Sequence, residues 1–470
     1  MTRTEPLTTH DRTFFGEPRA LAYLAFTEAW ERFSFYGMTA LLVLYMSQQL
    51  FLPGHVEHVA GFAAFRAGLE SLFGPMSPVA LASQIFGLYT GFVYFTPVFG
   101  GIVADRWIGK RNAVVIGALL MSAGHIAMAF DRSFLAALVL LVVGCGLLKG
   151  NISAQVGALY ADGDGSGRTR GFAIFSTGIN VGAVVGPLAC GLLAQLYGWH
   201  AGFGLAGVLM LFGLATYLAG YRTLTAETRV DSHSVEPGTV ERGQWRVVGA
   251  LIFVMLITVF QSIAYYQNSN IALVWINDHA ALDFFGFSVP VAWFNSIDPL
   301  VSILMVPVLI TLWRWQRGHG GEPGELGKIA TGAWICCIAN VLLVIASLLP
   351  GRAHVLFPVM YDVLQGVAFL YYWPTLLALV SQAAPRRLKS TLMGVAFLSL
   401  FVANTTIGRL GSYYETLGPR SFWMLHVAIA AAGGLLAMIF GPRLTRVLAQ
   451  GAAAASVAPL ELSTDLGSSS

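Results

Sequence analysis

Charged residues are scarce in this sequence, and their scarcity excludes a soluble protein. Only 11% of the 470 residues are Asp, Glu, Lys or Arg, whereas 56% are hydrophobic. A soluble chain of this length needs charge at about a quarter of its positions to cover its surface. The formal net charge is only +3, which gives no support to nucleic-acid binding. The composition indicates a polytopic α-helical membrane protein.

Cysteine is also rare, which argues against a disulfide-stabilised secreted protein. The four cysteines, Cys145, Cys190, Cys336 and Cys337, all lie inside apolar stretches. We expect no disulfide framework and predict that these side chains act as small buried hydrophobes. Residues 1–19 are polar and lack an apolar core. We therefore expect no cleaved leader and a first membrane helix that directs insertion itself.

Long apolar stretches are abundant, and they divide the chain into two halves. A helix needs about 20 apolar residues to cross ~30 Å of hydrocarbon. Twelve stretches qualify, at 22–50, 79–104, 112–130, 134–160, 171–196, 200–221, 246–275, 288–313, 328–349, 354–381, 389–414 and 421–441. We predict an all-α fold of twelve transmembrane helices in two six-helix bundles. Its parts are an N-terminal segment, 1–21, the bundles, 22–221 and 246–441, a polar linker, 222–245, and a disordered tail, 442–470.

The distribution of Lys and Arg sets the expected orientation. If the N terminus is cytoplasmic, twenty of the 27 Lys and Arg residues lie in cytoplasmic segments. Only Arg66, Arg132, Arg352 and Arg420 then lie in outer loops. Because cytoplasmic loops of membrane proteins carry an excess of positive charge, we expect both termini in the cytoplasm.

In the first half, four charged residues fall within predicted helices, at depths where charge is costly. Glu28, Glu31 and Arg32 share one face of the first helix by their spacing, and Tyr36 lies one turn further along. Lys149 lies about fourteen residues into the fourth helix. An ionised group at the bilayer centre costs about 2.5–3.5 kcal/mol, so this face needs partners or a polar cavity. The alternative role is an ion cluster that only pins helices together.

The loop after the second helix carries a charged motif. Residues 101–111 resemble the G-x-x-x-D-R-x-G-[RK] loop of the major facilitator superfamily, with Asp105 and Arg106 at its charged positions. The resemblance implies two halves that rock around a site at mid-membrane. It also implies that Asp105 and Arg106 act in gating. The alternative is that they belong to an ordinary charged turn exposed to water.

Three further segments resemble the proton-dependent oligopeptide transporters. The first helix contains E-x-x-E-R-F-x-x-Y-G at 28–37, which matches the signature of that family. The Gly-rich run at 146–160, which contains Lys149, and the segment 175–182, which contains Asn180, are also similar to the family. The resemblance covers most of the chain.

That resemblance implies roles for individual residues. Arg32 and Lys149 would bind a peptide carboxylate, while Glu28 and Glu31 would carry or relay the proton. Because two cations stand beside two carboxylates, a substrate carboxylate that competes for the cations makes proton uptake easier. The expected substrate-binding residues are Arg32, Tyr36, Tyr89, Tyr94, Lys149, Asn180, Tyr266, Gln267, Asp298 and Phe369.

The second half departs from the family pattern at aligned pocket positions. Tyr266 and Phe369 stand where the family usually has acidic residues, and Asp298 stands where it has Asn. Ala396 replaces a pocket Trp, and Thr39 of the first helix replaces an Arg that pairs with one of the lost acids. Three roles are open for Asp298: binding a substrate ammonium, carrying a proton or pairing with Lys149. Alternatively, Asp298 is only a structural carboxyl in a helical turn that Pro299 loosens. Asp362 is a second acidic candidate, with a position near the outer mouth as its alternative.

Together these features predict a proton-coupled symporter of di- and tripeptides or peptide-like compounds that works by alternating access. The alternative is a family offshoot that carries a non-peptide organic acid or amino-acid conjugate, because the carboxylate clamp is present while the amine-binding acid is not. We expect no enzyme, since neither an H-E-x-x-H pair nor an interfacial His/Asp set occurs. We expect protons and no other cofactor, a monomer, no nucleic-acid partner and a bacterial cytoplasmic membrane as the location.

Overall fold

The protein is almost entirely helical. The computed structural model describes residues 12–160, 164–224, 242–284 and 286–457. Parts of the predicted N-terminal segment, linker and tail lie outside the described residues, at 1–11, 225–241 and 458–470. The described β-structure consists of two short antiparallel hairpins, Arg12–Phe14 with Glu17–Pro18 and Asp283–Phe284 with Phe287–Ser288.

Fourteen α-helices follow one another along the described residues. They are α1 Arg19–Tyr45, α2 Phe62–Phe73, α3 Pro78–Val103, α4 Lys110–Ala127, α5 Phe134–Ala158, α6 Gly165–Tyr197, α7 Trp199–Gly220, α8 Arg242–Tyr266, α9 Ile271–His279, α10 Ile297–Gly318, α11 Glu325–Ala346, α12 Leu356–Ala383, α13 Lys389–Gly411 and α14 Tyr414–Val457. Twelve are long, and each corresponds to one predicted stretch. The short α2 lies in no predicted stretch, and α9 takes up the end of the seventh.

Ten of the long helices are long and apolar enough to cross a membrane by length and composition alone. The other two are α1 and α4. Helix α1 contains Glu28, Glu31 and Arg32, and α4 has only 18 residues and begins with Lys110 and Arg111. These two helices are thus less apolar because they contain charged residues, for which the fold must provide partners or access to water.

Helix α14 extends further than the sequence suggests. It is interrupted at Gly418, which has a left-handed φ of 74°, and continues to Val457. Residues 442–457, predicted to belong to a disordered tail, are therefore helical. Leu444 and Leu448 are buried against the second apolar core, which α8 helps to form. Their burial stabilises a helix that the Ala-rich composition alone does not reveal.

A stripe of small residues on α6 lets α1 approach closely. A Cβ at Gly182 would lie 2.6 Å from the Ala29 carbonyl oxygen, and one at Gly186 would lie 2.5 Å from that of Phe33. Real side-chain atoms do not fit at these distances, so glycine is required for this packing. The contact places the charged centre of α1 inside the protein.

The two halves of the chain meet tightly at one end, which we call the closed end. Ser83 on α3 donates a hydrogen bond to the Gly408 carbonyl on α13, 3.2 Å, and accepts one from Asn270, 2.8 Å. A Cβ at Gly87 would lie 2.6 Å from the Gly408 backbone. Beside α6, Ser296 donates to the Val184 carbonyl at 2.7 Å. These contacts join the halves through backbone and small polar groups.

We predict that Gly87→Val prevents tight closure of this end, because its side chain would collide with the α13 backbone. The measurement is oxidative cross-linking of cysteines introduced at Ser77 and Glu415, whose side chains are hydrogen-bonded across the halves. Cross-linking should slow several-fold. The control is Gly101→Val, since a Cβ at Gly101 meets nothing within 4 Å; unchanged cross-linking in Gly87→Val would contradict the packing argument.

Candidate substrate and proton site

The centre of α1 carries a buried ion cluster. Glu28, Glu31 and Arg32 are 3%, 0% and 3% exposed. The Arg32 guanidinium hydrogen-bonds both carboxylate oxygens of Glu31, and its Nε lies 3.3 Å from Glu28 Oε1. Glu28 Oε2 is buried and has no hydrogen-bond partner among the described residues. Two carboxylates share one guanidinium, so the cluster accepts a further cation or a proton.

Lys149 brings a second cation from α5. Its Nζ lies 4.6 Å from the centre of the Tyr94 ring, a distance at which a cation is attracted to an aromatic face. It also interacts electrostatically with Glu28. Within the described chain, no carboxylate forms an ion pair with Lys149 at 4.0 Å or less. This ammonium group is available to an anionic ligand.

Aromatic rings line the site on both sides of the boundary between the halves. Tyr36 packs edge-on against Phe35, with 5.4 Å between ring centres. Tyr94 on α3 faces Tyr266 on α8 at 6.3 Å. Tyr89 is only 4% exposed and packs on Phe35 at 6.5 Å. Tyr36 and Tyr94 therefore belong to the lining, whereas Tyr89 supports it from behind.

Four rings of the second half, Tyr265, Tyr266, Phe369 and Tyr372, form what we call the aromatic wall. Ring centres of Tyr265 lie 4.9 Å from Tyr266 and 5.4 Å from Phe369, and Phe369 lies 5.8 Å from Tyr372. Tyr266 and Phe369 are half-buried, while Tyr265 and Tyr372 are buried. The site has aromatic surface at both positions where the family resemblance would place acids.

Asp298 lies behind this wall and is bonded to it. It accepts hydrogen bonds from the Tyr265 hydroxyl and from Asn268 Nδ2, the latter at 3.4 Å, and is 7% exposed. The predicted stretch 288–313 would place Asp298 well inside a helix. In the structure, residues 291–296 form a 3₁₀-helix and α10 begins only at Ile297. Asp298 is thus in the first turn of α10, where the helix dipole favours a negative charge. The structure records no ion pair between this carboxylate and Lys149.

Two predicted binding residues differ in their surroundings. Gln267 is fully buried, and its Nε2 donates to the Ile407 carbonyl on α13 at 3.2 Å. The 3₁₀-turn of residues 267–269 between α8 and α9 directs it there, so its side chain ties the end of α8 to α13 in this state, and its role in substrate binding stays a prediction. Asn180 is half-buried on α6, close to the glycine stripe that contacts α1.

The predicted gating residues lie at the surface. Asp105 and Arg106 are exposed on a π-helical turn, Ala104–Ile108, between α3 and α4. Asp105 Oδ1 lies 4.0 Å from the ammonium of Lys110 at the start of α4. The loop is on the opposite side of the molecule from the closed end.

Sequence reasoning did not identify Tyr265 and Asn268 as site residues. A signal was present, because a spacing of three residues keeps both on one face where α8 passes into the 3₁₀-turn of residues 267–269. That face turns towards the N terminus of α10. Recognising it required knowing that α8 and α10 are neighbours, which local periodicity does not show.

A bundle of long membrane helices around buried charges of both signs defines a membrane transporter, and comparisons with known proteins agree. A model of the POT family matches residues 111–237 and 238–424. The chain is 28% identical to the peptide transporter YePEPT of Yersinia enterocolitica, over 94% of this chain and 97% of that protein. It is 27% identical to a di-/tripeptide transporter of Lactococcus lactis, over 91% and 96%.

A solved structure extends this similarity to the fold. The crystal structure of a mutant of the peptide transporter POT in complex with alafosfalin matches with a TM-score of 0.81 and 27% identity. The match covers 93% of this chain and 97% of that one. This chain belongs to the POT family and has the major facilitator fold, with twelve transmembrane helices in two six-helix bundles.

We predict that Arg32→Met lowers the melting temperature of the purified protein strongly without preventing membrane insertion. Removing one partner of a buried ion pair costs about 3–5 kcal/mol, because the carboxylates are left uncompensated. The control is Arg317→Met, since Arg317 is exposed and its partner Glu322 keeps a second cation, Lys328, at 2.8 Å; its effect should be small, because an exposed ion pair contributes little to stability.

Neutralising the carboxylates supplies a rescue. Adding Glu28→Gln and Glu31→Gln to Arg32→Met should recover much of the lost stability, because no carboxylate of the cluster is then left without its cation. Equal destabilisation by Arg32→Met and Arg317→Met would contradict the assignment of a buried cluster.

Proposed function

We propose that this transporter is a proton-coupled symporter of di- and tripeptides or peptide-like compounds that works by alternating access. The observation that carries the proposal is the buried cluster of Glu28, Glu31 and Arg32 beside Lys149, whose ammonium has no ion-paired carboxylate in the part of the chain that the structure describes. The named relatives are peptide transporters, which supports the same substrate class. The proposal includes a monomer that needs protons and no other cofactor.

The charges of the cluster suggest how binding and proton uptake are linked. In the proposed cycle, the substrate carboxylate binds Lys149 and competes with Glu28 and Glu31 for Arg32. A glutamate that loses its guanidinium contact in a buried site is costly to keep charged. It therefore takes up a proton, so that substrate and proton bind together.

The closed end suggests the state of the cycle. With both termini in the cytoplasm of a bacterial cell, as we propose, the contacts of Ser83, Asn270 and Gly408 would seal the outer face of the cytoplasmic membrane. The site would then be reached from the cytoplasm. Asp105 and Arg106 lie on the cytoplasmic side in this orientation, where they would contribute to closure after the halves rock.

A second candidate is a family offshoot that carries a non-peptide organic acid or amino-acid conjugate. The aromatic wall favours it, because Tyr266 and Phe369 offer rings where an ammonium would find a carboxylate. Asp298 is already bonded to Tyr265 and Asn268. A substrate with a carboxylate at one end and an apolar or capped group at the other fits this arrangement.

We predict that Lys149→Ala weakens the binding of dialanine and of N-acetyl-dialanine by at least about thirty-fold. Losing one partner of a buried charge pair costs about 2–5 kcal/mol. Affinity for dialanine amide, which has no carboxylate, should not change. The control is Lys328→Ala, because the Lys328 ammonium also lies over an aromatic ring, Trp313, at 4.4 Å, but outside the site.

The same measurements on the wild type separate the two candidates. Tighter binding of dialanine than of its N-acetyl form supports a peptide carrier. Tighter binding of the N-acetyl form supports the second candidate. Undiminished binding of both ligands by Lys149→Ala would rule out the clamp in either case. Affinities are read from competition with labelled ligand in proteoliposomes.

We predict that Glu28→Gln and Glu31→Gln each keep exchange of labelled for unlabelled dialanine but lose accumulation. One pH unit supplies about 1.4 kcal/mol per proton, and 100 mV about 2.3 kcal/mol per charge, and an uncoupled carrier forfeits both. The control is Glu70→Gln, whose carboxylate pairs with Arg66 at 2.9 Å outside the site. Full accumulation by both site variants under a pH gradient would place the proton route elsewhere.

A further inference from the structure

We propose that Asp298 and Asp362 form a second proton-binding site, in the C-terminal half and separate from Glu28 and Glu31. Asp362 lies on α12 and is 2% exposed, so it is as deeply buried as the α1 cluster. The two acids are neighbours: a Cβ at Gly366, one turn along α12 from Asp362, would lie 2.8 Å from the Asp298 carbonyl oxygen. The proposal rests on the proposed proton coupling but concerns different residues.

The groups that face this pair contain no cation. Tyr265 at the end of α8 and Asn268 in the 3₁₀-turn after it bond Asp298, which also faces the hydroxyls of Tyr36 on α1 and Tyr372 on α12. Asp362 faces Asp298 and its neighbour Tyr361, and Cys336 of α11 lies beyond Tyr361. The buried ring of His426 on α14 lies 4.4 Å from that of Phe422 at a tilted angle, and its Nδ1 donates a hydrogen bond to the Phe422 carbonyl at 2.9 Å. The described residues thus place two carboxyl groups together without a Lys or Arg partner.

Two buried carboxylates without a cation are not both charged, because each would carry the full penalty of desolvation and repel the other. Asp298 is the better site for the negative charge. It accepts two hydrogen bonds, from Tyr265 and Asn268, and lies at the N terminus of α10. Asp362 is therefore the member that holds the proton.

An unpartnered acceptor points to the same proton. Gln365 is fully buried, three residues from Asp362 on α12, and its Nε2 donates to the Ala264 carbonyl at 3.4 Å. Its Oε1 has no hydrogen-bond donor among the described residues, and Asp362 Oδ2 also has no partner. A neutral carboxylic acid has one O–H donor, whereas a carboxylate has none. The Tyr361 hydroxyl, also buried without a partner, can supply one donor. A protonated Asp362 supplies the second that these two acceptors need, on the same helix face as Gln365.

The pair is also placed where its charge can influence closure. Ser296, two residues before Asp298, donates to the Val184 carbonyl of α6 at 2.7 Å, one of the contacts between the halves. Release of the proton from Asp362 places a second negative charge beside Asp298, and so acts on the first turn of α10 and on this contact. Proton binding in the second half is thereby linked to the closed end.

Infrared spectroscopy of the reconstituted full-length protein at neutral pH tests the site without any substrate. We expect the carbonyl band of a protonated carboxyl group in the wild type that is lost in Asp362→Asn. It should remain in Asp278→Asn, a control acid exposed on α9. A spectrum unchanged by Asp362→Asn would overturn the proposal. If that variant does not fold, Asp298→Asn decides: the band should persist, and its loss would overturn the assignment to Asp362.

Transport supplies a second readout. Protons moved per dialanine, measured from the substrate gradient that balances an imposed pH gradient, should fall by one in Asp362→Asn. An unchanged ratio would overturn the coupling role of the pair. If the wild type does not accumulate dialanine, the symport proposal fails, while the infrared result still decides whether Asp362 holds a proton.

Discussion

A guanidinium held between two carboxylates at the centre of a membrane helix is the constraint on which the rest of the structure depends. Arg32 cannot face lipid, and Glu28 and Glu31 cannot be buried without it. Helix α1 is therefore enclosed by its neighbours, and Lys149 of α5 comes close enough to share the cluster. The least apolar part of α1 becomes one of its best-buried parts because it brings its own counter-charges.

Small residues make this enclosure possible, and they also leave the two halves able to separate. Glycines of α6 admit α1 at backbone distance within one half. Between the halves, Gly87 and Gly408 allow a similar approach, but the accompanying bonds are those of Ser83 and Ser296 to carbonyl groups. Each such bond contributes only about 0.5–1.5 kcal/mol net. A few bonds of that strength can hold one state without preventing the other.

Helix length and charge spacing predict most of the fold and the first half of the site. Hydrophobic stretches locate the twelve long helices, and the i, i+3 and i+4 spacing places Glu28, Glu31 and Arg32 together. The hydrophobic pattern does not predict side-chain positions correctly where a helix is interrupted by a 3₁₀-segment. The 3₁₀-segment before α10 places Asp298 at a helix N terminus, and the one after α8 directs the Gln267 side chain towards α13. Both results depend on tertiary neighbours that a single sequence does not specify.

The two halves of the site are under different physical demands. In the function we propose, a substrate carboxylate needs a buried cation, and only a few helix positions can hold one at mid-membrane, so Arg32 and Lys149 leave little freedom in the first half. The second half would face the other end of the substrate, where rings and carboxylates are alternative partners.

An ammonium over an aromatic face gains about 0.5–2 kcal/mol, less than a buried ion pair but enough to orient a ligand. Tyr266 and Phe369 therefore remain compatible with a peptide amine while also accepting a capped or apolar group. Because Asp298 is already bonded within its own half, the aromatic wall removes the requirement for a free amine without excluding one. Asp298, which would otherwise be free to pair with a substrate ammonium, is then available together with Asp362 to form a proton-binding site.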